Sequence, residues 1–299
     1  MSCRRLILFA LLILPIAGVS LAQSGKDNEG RRSASLNVIV HAPKGVAVTR
    51  ESLDLYDSGV QQEIDYFGPV PTGSQMVLLV DNTISQHVEP AALQQAALDI
   101  IDELYQDDQM LVVGYNENAE IIQDMTGDLG KLQLATSKFV RSGFPKLFDA
   151  LIAVADALDR QAQTGVEKRV VILISDGYDS GSQTKFIQTL YALQDHNTIL
   201  YAIQLPDRTH GALLRDKPKP TAVLERLTKG TGGAIYPIAD IATAAKKIAD
   251  ELRNNWYKLT YTPLGLSTIT DRRILLMSRI PGVEVKTKGS QPGRFRPPE

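Results

Sequence analysis

The chain has 299 residues, 43% of them hydrophobic and 22% charged, values of an ordinary globular protein and not of a disordered one. Its 32 basic and 34 acidic residues give a formal net charge of −2, which argues against nucleic acid as a partner, because that needs a clustered basic face. The single cysteine, Cys3, lies near the start, so the rest of the chain has no disulfide, thiol nucleophile or cysteine-ligated zinc.

Residues 1–23 have the layout of a signal peptide. Arg4 and Arg5 precede an apolar run at 6–14, and Ser20-Leu21-Ala22 supplies the small-x-small pattern, so cleavage is expected after Ala22 and the protein is expected to be periplasmic or extracellular. The apolar run is short of the about 20 residues that span a bilayer, and no second long apolar stretch occurs, so no stable membrane span is expected after cleavage. Losing Arg4 and Arg5 takes the 32 basic residues to 30 against 34 acidic ones, a net −4. Residues 23–35 read as a flexible polar linker.

A strand is expected at 36–41, and a hairpin where 53–56 meets Asp57-Ser58-Gly59 and continues through 60–67, with Gly59 supplying the positive φ of the turn. Pro69, Pro71 and Gly73 mark a boundary. From residue 75 apolar strands alternate with helical periodicity. Strands are expected at 76–80, 110–115, 119–122, 169–175, 198–205 and 234–237. Helices are expected at 90–105, 129–140, 147–162, 186–194, 220–229 and 241–254. Further strands are expected at 256–262, 272–278 and 283–288, before a frayed tail. This order implies an α/β fold, a doubly wound and mostly parallel sheet flanked by helices, with a small β module built from the two flanks. The flanking segments are expected to pair with each other, since neither has enough strands to be stable alone. The expected division is signal peptide 1–22, linker 23–35, N-terminal β segment 36–70, α/β domain 75–254, C-terminal β segment 255–289 and tail 290–299.

In such sheets ligands bind at the carboxyl ends of the strands, so the segment after each strand carries the functional information. After the first apolar strand, Asp81, Thr83 and Ser85 stand at i, i+2 and i+4, a spacing that turns three oxygen-bearing side chains the same way in an extended loop. After the strand at 169–175 comes Asp176-Gly177-Tyr178-Asp179, where Gly177 permits a tight turn at the strand tip. Together Asp81, Thr83, Ser85 and Asp176 form the oxygen set that a hard cation such as Mg²⁺ takes, with a coordination place left over. Each aspartate alone also reads as a plain cap of the turn after its strand.

D-x-T-x-S after the first strand with ISDGYD after the later one resembles the metal-ion-dependent adhesion site of von Willebrand factor A-type domains. The flanks LNVIVHAPKG…LDLYDSGVQQEIDYF and ELRNNWYKLTYTP are similar to those of the bacterial VWFA-related proteins common in acidobacteria. The resemblance covers about residues 36–289. It implies that Asp81, Thr83 and Ser85 contact a divalent cation directly, Mg²⁺ or another, and that Asp176 acts through water. The family usually adds a threonine in a pattern like G-G-T-A-L-Y-D-A. Anchored on Leu147-Phe148-Asp149-Ala150, that position is Pro145, which has no hydroxyl to coordinate with. Either water takes the missing place or the site is degenerate and binds partners without metal. Lys146, the nearest basic residue in sequence, either points to solvent or brings its ammonium towards Asp81 or Asp176 to replace or compete with the metal.

Other signals read as structure. Residues 229–233, KGTGG, precede a strand where a phosphate loop would open a helix. Residues 178–181, YDSG, lack the order of a nucleophile elbow. His41, His87, His196 and His210 have no metal-ligand spacing and are expected on the surface or in loops, and Asp107-Asp108 at a solvated helix end. With the export expected from residues 1–23, the resemblance implies a non-enzymatic binding or adhesion module that recognises a protein ligand, through an acidic group of it if a cation is held. A metal-assisted hydrolase using the same loops is disfavoured by the lack of a His, Cys or Lys identifiable beside them. A metal-independent structural envelope protein is the third reading.

Overall fold

The computed structural model describes residues 33–161, 166–212 and 218–293; the expected signal peptide, most of the linker and most of the tail lie outside them. The flanks supply β1 (Ala34–His41), β2 (Leu53–Asp57), β3 (Val60–Gln62) and β4 (Tyr66–Pro69). The α/β region then runs β5 (Ser74–Asp81), α1 (Pro90–Ile101), β6 (Gln109–Tyr115), β7 (Ala119–Thr126), α2 (Leu129–Thr136), α3 (Leu147–Gln161), β8 (Lys168–Ser175), α4 (Phe186–Asp195), β9 (Thr198–Gln204), α5 (Pro220–Thr231), β10 (Ile235–Pro237) and α6 (Ile241–Asn254). The chain returns to the flank through β11 (Trp256–Tyr261), β12 (Arg272–Ser278), β13 (Glu284–Lys286) and β14 (Ser290–Gln291).

The central sheet has the order β10-β9-β8-β5-β6-β7, parallel except for β7, which runs antiparallel to β6. Every residue of β5 is buried, because helices cover both faces. Met76, Leu78 and Val80 join Leu93, Ala97 and Ile100 of α1 and Ile248 and Leu252 of α6 on one side. Val77 and Leu79, pointing the other way, join Leu151 and Val154 of α3, Leu193 of α4 and Leu224 and Leu227 of α5. Each buried Val, Leu, Ile or Met side chain among these contributes about 1.5–3 kcal/mol over leaving it in water. β5 neighbours both β6 and β8 while the chain winds outward on either side, so the order reverses between β5 and β8. That crevice is where ligands bind in open α/β sheets.

The two flanks interleave, as their strand count requires. One antiparallel sheet has the order β13-β1-β11-β4 and the other β14-β12-β2-β3. Leu36, Val38, Val40, Leu55, Leu259, Tyr261 and Ile274 form a core of their own between them. β1 is buried on both faces: its alternate residue Ile39 lies opposite Trp256 in register, and both belong to the core of the α/β sheet. That burial, with Trp256 2% exposed, fuses the β module to the α/β domain.

Six local expectations need correcting. The 60–67 run is two strands in different sheets, β3 on β2 and β4 on β11, with buried Ile64 between them. The first helix stops at Ile101, not 105, because the buried carboxylate of Asp108 accepts the N–H groups of Tyr105 (2.9 Å) and Ser74 (2.8 Å); Asp108 is thus a turn cap and not a solvated residue. The second stops at Thr136, where the Thr136 and Ser137 hydroxyls donate back to the carbonyls of Gln133 and Leu134, both at 2.8 Å. The short run expected at 119–122 extends to Thr126. Ser290 and Gln291, assigned to the tail, pair with Arg273 and Arg272.

Candidate functional site

Asp81 ends β5 and Asp176 follows β8, so the parallel register of those two strands brings the two carboxylates to one rim of the sheet. Both residues are buried, Asp81 0% and Asp176 1% exposed. The turn at 81–85 orients its oxygens through local bonds. The Thr83 N–H (3.1 Å) and hydroxyl (2.6 Å) both donate to Asp81 Oδ1, and the Thr83 and Ser85 hydroxyl oxygens lie 3.5 Å apart. Tyr115, at the end of β6, donates its hydroxyl to Asp81 Oδ2 at 3.2 Å and shares a 2.8 Å hydrogen bond with Ser175. After β8, Gly177 has φ +87°, and a Cβ there would stand 2.3 Å from the Pro220 carbonyl oxygen, so a side chain is excluded by both strain and space.

Sequence reasoning thus found four side chains that do converge. It missed what fills the space between them. The guanidinium of Arg208, from the loop after β9, donates Nε–H to Asp176 Oδ2 (2.7 Å), Nη2 to Asp176 Oδ1 (2.9 Å) and to Asp81 Oδ2, and Nη1 to the hydroxyls of Thr83 (2.9 Å) and Ser85 (2.8 Å). Five donors meet five acceptor bonds, which is the full capacity of a guanidinium. The Arg208 backbone N–H adds a sixth bond, 3.1 Å to Asp176 Oδ2, and Tyr178 lies 5.5 Å from the guanidinium carbon. The loop is itself fixed, by Leu205 N–H to the Ser175 carbonyl (3.0 Å) and by Asp207 accepting from Thr209 and Gly211.

The reading that puts Lys146 between the aspartates is corrected. The positive charge between the aspartates is Arg208. Lys146 stands before α3, its backbone N–H on the Asn116 carbonyl (2.8 Å), and its charge acts on Asp149. Pro145 is buried and accepts the Ser180 N–H at 2.8 Å, so it ties its loop to the turn after Asp176. The signal for Arg208 was faint but present: it follows β9, the neighbour of β8, and so reaches the same rim.

Electrostatics here come from one cation shared by two anions. Burial raises the pKa of Asp81 above its ordinary value, although the Arg208 charge and the Thr83 hydrogen bond pull against it. Burial lowers that of Arg208, but its hydrogen bonds to Asp176 and the charges of Asp81 and Asp176 outweigh it and raise the pKa, so the guanidinium stays charged. Burial and the Asp81 charge push the Tyr115 phenol well up, which keeps it a donor.

A divalent cation fits this donor set in kind but not in arrangement. The oxygens spread around a planar group, 2.7–2.9 Å from three separate nitrogens. Mg²⁺ demands about 2.0–2.1 Å from a single point. Among the described residues, no group of three or more His, Cys, Asp or Glu is placed to hold a metal.

The rim around the site holds two features of a different kind. Ile84, Val140 and Phe144 are 67%, 71% and 59% exposed, on loops joined by the Ser142 N–H to the Asn82 carbonyl (3.1 Å) and the Ile84 N–H to the Gly143 carbonyl (3.4 Å). Arg141 reinforces the pair by donating to the carbonyls of Gln86 and Val88. His87 and His210, expected on the surface or in loops, are stacked with ring centroids 5.7 Å apart, joining the Ser85 loop to the Arg208 loop. Elsewhere His41 meets buried Glu251 at 2.9 Å and His196 meets Asp159 at 3.1 Å. Gly232, with φ +88°, caps α5, so residues 229–233 form a helix end.

Residues 76–178 match the family model of the von Willebrand factor type A domain. No curated protein matches the sequence. Among solved structures, a von Willebrand factor type A protein from Catenulispora acidiphila is similar, with 13% identity over 74% of this chain and 66% of that one and a TM-score of 0.50. An aerotolerance-related membrane protein from Bacteroides fragilis aligns over 60% of this chain and 98% of its own at 14% identity and a TM-score of 0.49. BatB from Bacteroides thetaiotaomicron aligns over 60% and 97% at 15% identity and a TM-score of 0.44.

Proposed function

The chain carries a von Willebrand factor type A domain, and from that premise we propose that it is an exported, non-catalytic binding protein that meets a protein partner with the loops at the carboxyl ends of its central sheet. The observation that carries this reading is the trio Ile84, Val140 and Phe144, exposed on two loops that are bonded to each other at the crevice where the strand order reverses. Large apolar side chains kept in water on a fixed loop pair mark an interaction surface. Binding is favoured over catalysis because the oxygens that would activate a nucleophile are spent: Thr83 and Ser85 accept from Arg208, and both aspartates are paired with it. Export is supported by the layout of residues 1–22, and among the described residues no helix is long and apolar enough to cross a membrane.

The test is site-specific photo-crosslinking in the native host. A photoreactive residue at Ile84 or Phe144 is expected to capture one common protein. The same residue at Tyr105, 60% exposed but before β6 at the opposite end of the sheet, is expected to capture none. Equal capture from both ends, or none from either loop, would remove the reading.

A further inference from the structure

We infer that Arg208 is the resident cation of this site, and that the protein binds no divalent metal between Asp81 and Asp176. Three independent observations converge on it. First, the guanidinium takes up the oxygens of all four side chains that would hold a metal, with all five N–H groups used. Second, the ligand expected from the loop before α3 is Pro145, buried and without a hydroxyl, so the donor set is short of one member. Third, Arg208 is held by its own backbone: its N–H is on Asp176, and Leu205 N–H is on Ser175, which extends the register of β8 and β9 into the loop. With the side chain 5% exposed, removing the guanidinium from the cage strips five hydrogen bonds at once. A metal ion would have to do that and then order water in place of the missing threonine oxygen.

The exchange has a consequence for recognition, which rests on the loop-face reading above. A metal with an open coordination place attracts a partner's carboxylate. A guanidinium with every donor satisfied internally has none to offer. The partner is therefore anchored by apolar contact with Ile84, Val140 and Phe144, and not by an acidic group at the site.

Electron paramagnetic resonance of Mn²⁺ titrated into the exported chain, residues 23–299, reads the metal claim directly. The free-ion signal is expected to grow as in buffer alone, and melting curves in millimolar Mg²⁺, Mn²⁺ or chelator are expected to coincide. Arg208→Ala, which empties the cage, is expected to melt lower and to gain Mn²⁺ binding that Asp81→Asn then removes. If Arg208→Ala does not fold, Arg208→Gln, which keeps length and hydrogen bonding without the charge, takes its place. Stoichiometric Mn²⁺ binding by the unaltered chain that Asp81→Asn abolishes would overturn the inference, as would a folded Arg208 variant that gains no metal. Neither measurement involves a partner, so this failure and a failure of the crosslinking experiment are separate results.

Discussion

Two buried arginines sit on aspartates in this molecule, and they solve different problems. In the β module, Arg272 of β12 meets Asp57 at the end of β2, and Tyr261 of β11 donates to the same carboxylate at 2.7 Å. One guanidinium faces one carboxylate, on strands already joined by backbone pairing or by a common core. At the sheet rim, one guanidinium faces two carboxylates and two hydroxyls, which joins side chains at or after the ends of three different strands. The first is a matched pair that the strands would bring together anyway. The second carries a surplus negative charge and ties its loops together through side chains, beside the Leu205–Ser175 backbone bond and the His87–His210 stack. Two carboxylates suit a charge of +2; here they are held by +1 with many directed bonds, and the pKa of Asp81 is raised, by burial first and by the neighbouring Asp176 charge in lesser measure.

The largest effect expected from this contrast is on the arginines. Arg208→Met leaves two buried carboxylates facing each other, and breaking a buried pair costs about 3–5 kcal/mol, a fall in Tm of roughly 10 °C. Arg272→Met leaves one carboxylate that Tyr261 still serves, and is expected at the lower end of that range, about 3 kcal/mol. Calorimetry of the two variants ranks them, and the reverse order breaks the comparison.

The aspartates should rank the other way. Asp57→Asn strands Arg272 without a carboxylate and is expected to cost about 3 kcal/mol in urea denaturation. Asp81→Asn leaves Arg208 bidentate on Asp176 with the charges matched, so about 1 kcal/mol or less is expected. Similar losses in both would mean that the rim site has no surplus charge.

The burial of Asp81 beside Asp176 has a pH signature. Because the folded pKa of Asp81 lies above its ordinary value of 3.8, the fold favours its protonated form. That contribution is fully present below the unfolded pKa and is lost as pH rises through the folded one. Relative to Asp81→Asn, the wild type should therefore gain stability as pH is lowered towards 3.8, and denaturation at a series of pH values measures it. A parallel pair of curves would sink the assignment.

The smallest effect concerns Lys288, 4% exposed, which donates to the Gln194 carbonyl (2.8 Å) and Asn197 Oδ1 (2.6 Å). Burial lowers its pKa from 10.5 to about 7. A depressed folded pKa contributes stability that is present above the unfolded value and lost as pH falls through the folded one, here between about 10.5 and 7. Lys288→Met should flatten that part of the stability profile, and an unchanged slope would contradict the burial.

By itself the sequence determined the architecture. Period-2 and period-3.6 apolar patterns record which faces must leave water, so the buried run Met76–Val80, the helices around it and the pairing of the two flanks were all legible. It also placed Asp81, Thr83, Ser85 and Asp176 at strand ends, where parallel register alone brings them to one rim. What escaped it depended on competition between non-local partners. Residues 60–67 show one continuous strand pattern, but β2 and β11 claim its two halves for different sheets. The cation was the larger case. Arg208 is 127 residues from Asp81 and 32 from Asp176, in a turn with no motif, while Lys146 is adjacent in sequence to the vacated position. Proximity along the chain favoured the lysine. The tertiary structure chose the arginine, because the loop after β9 opens over Asp176 and because a planar group with five donors can satisfy four spread oxygen-bearing side chains at once, which a single ammonium cannot.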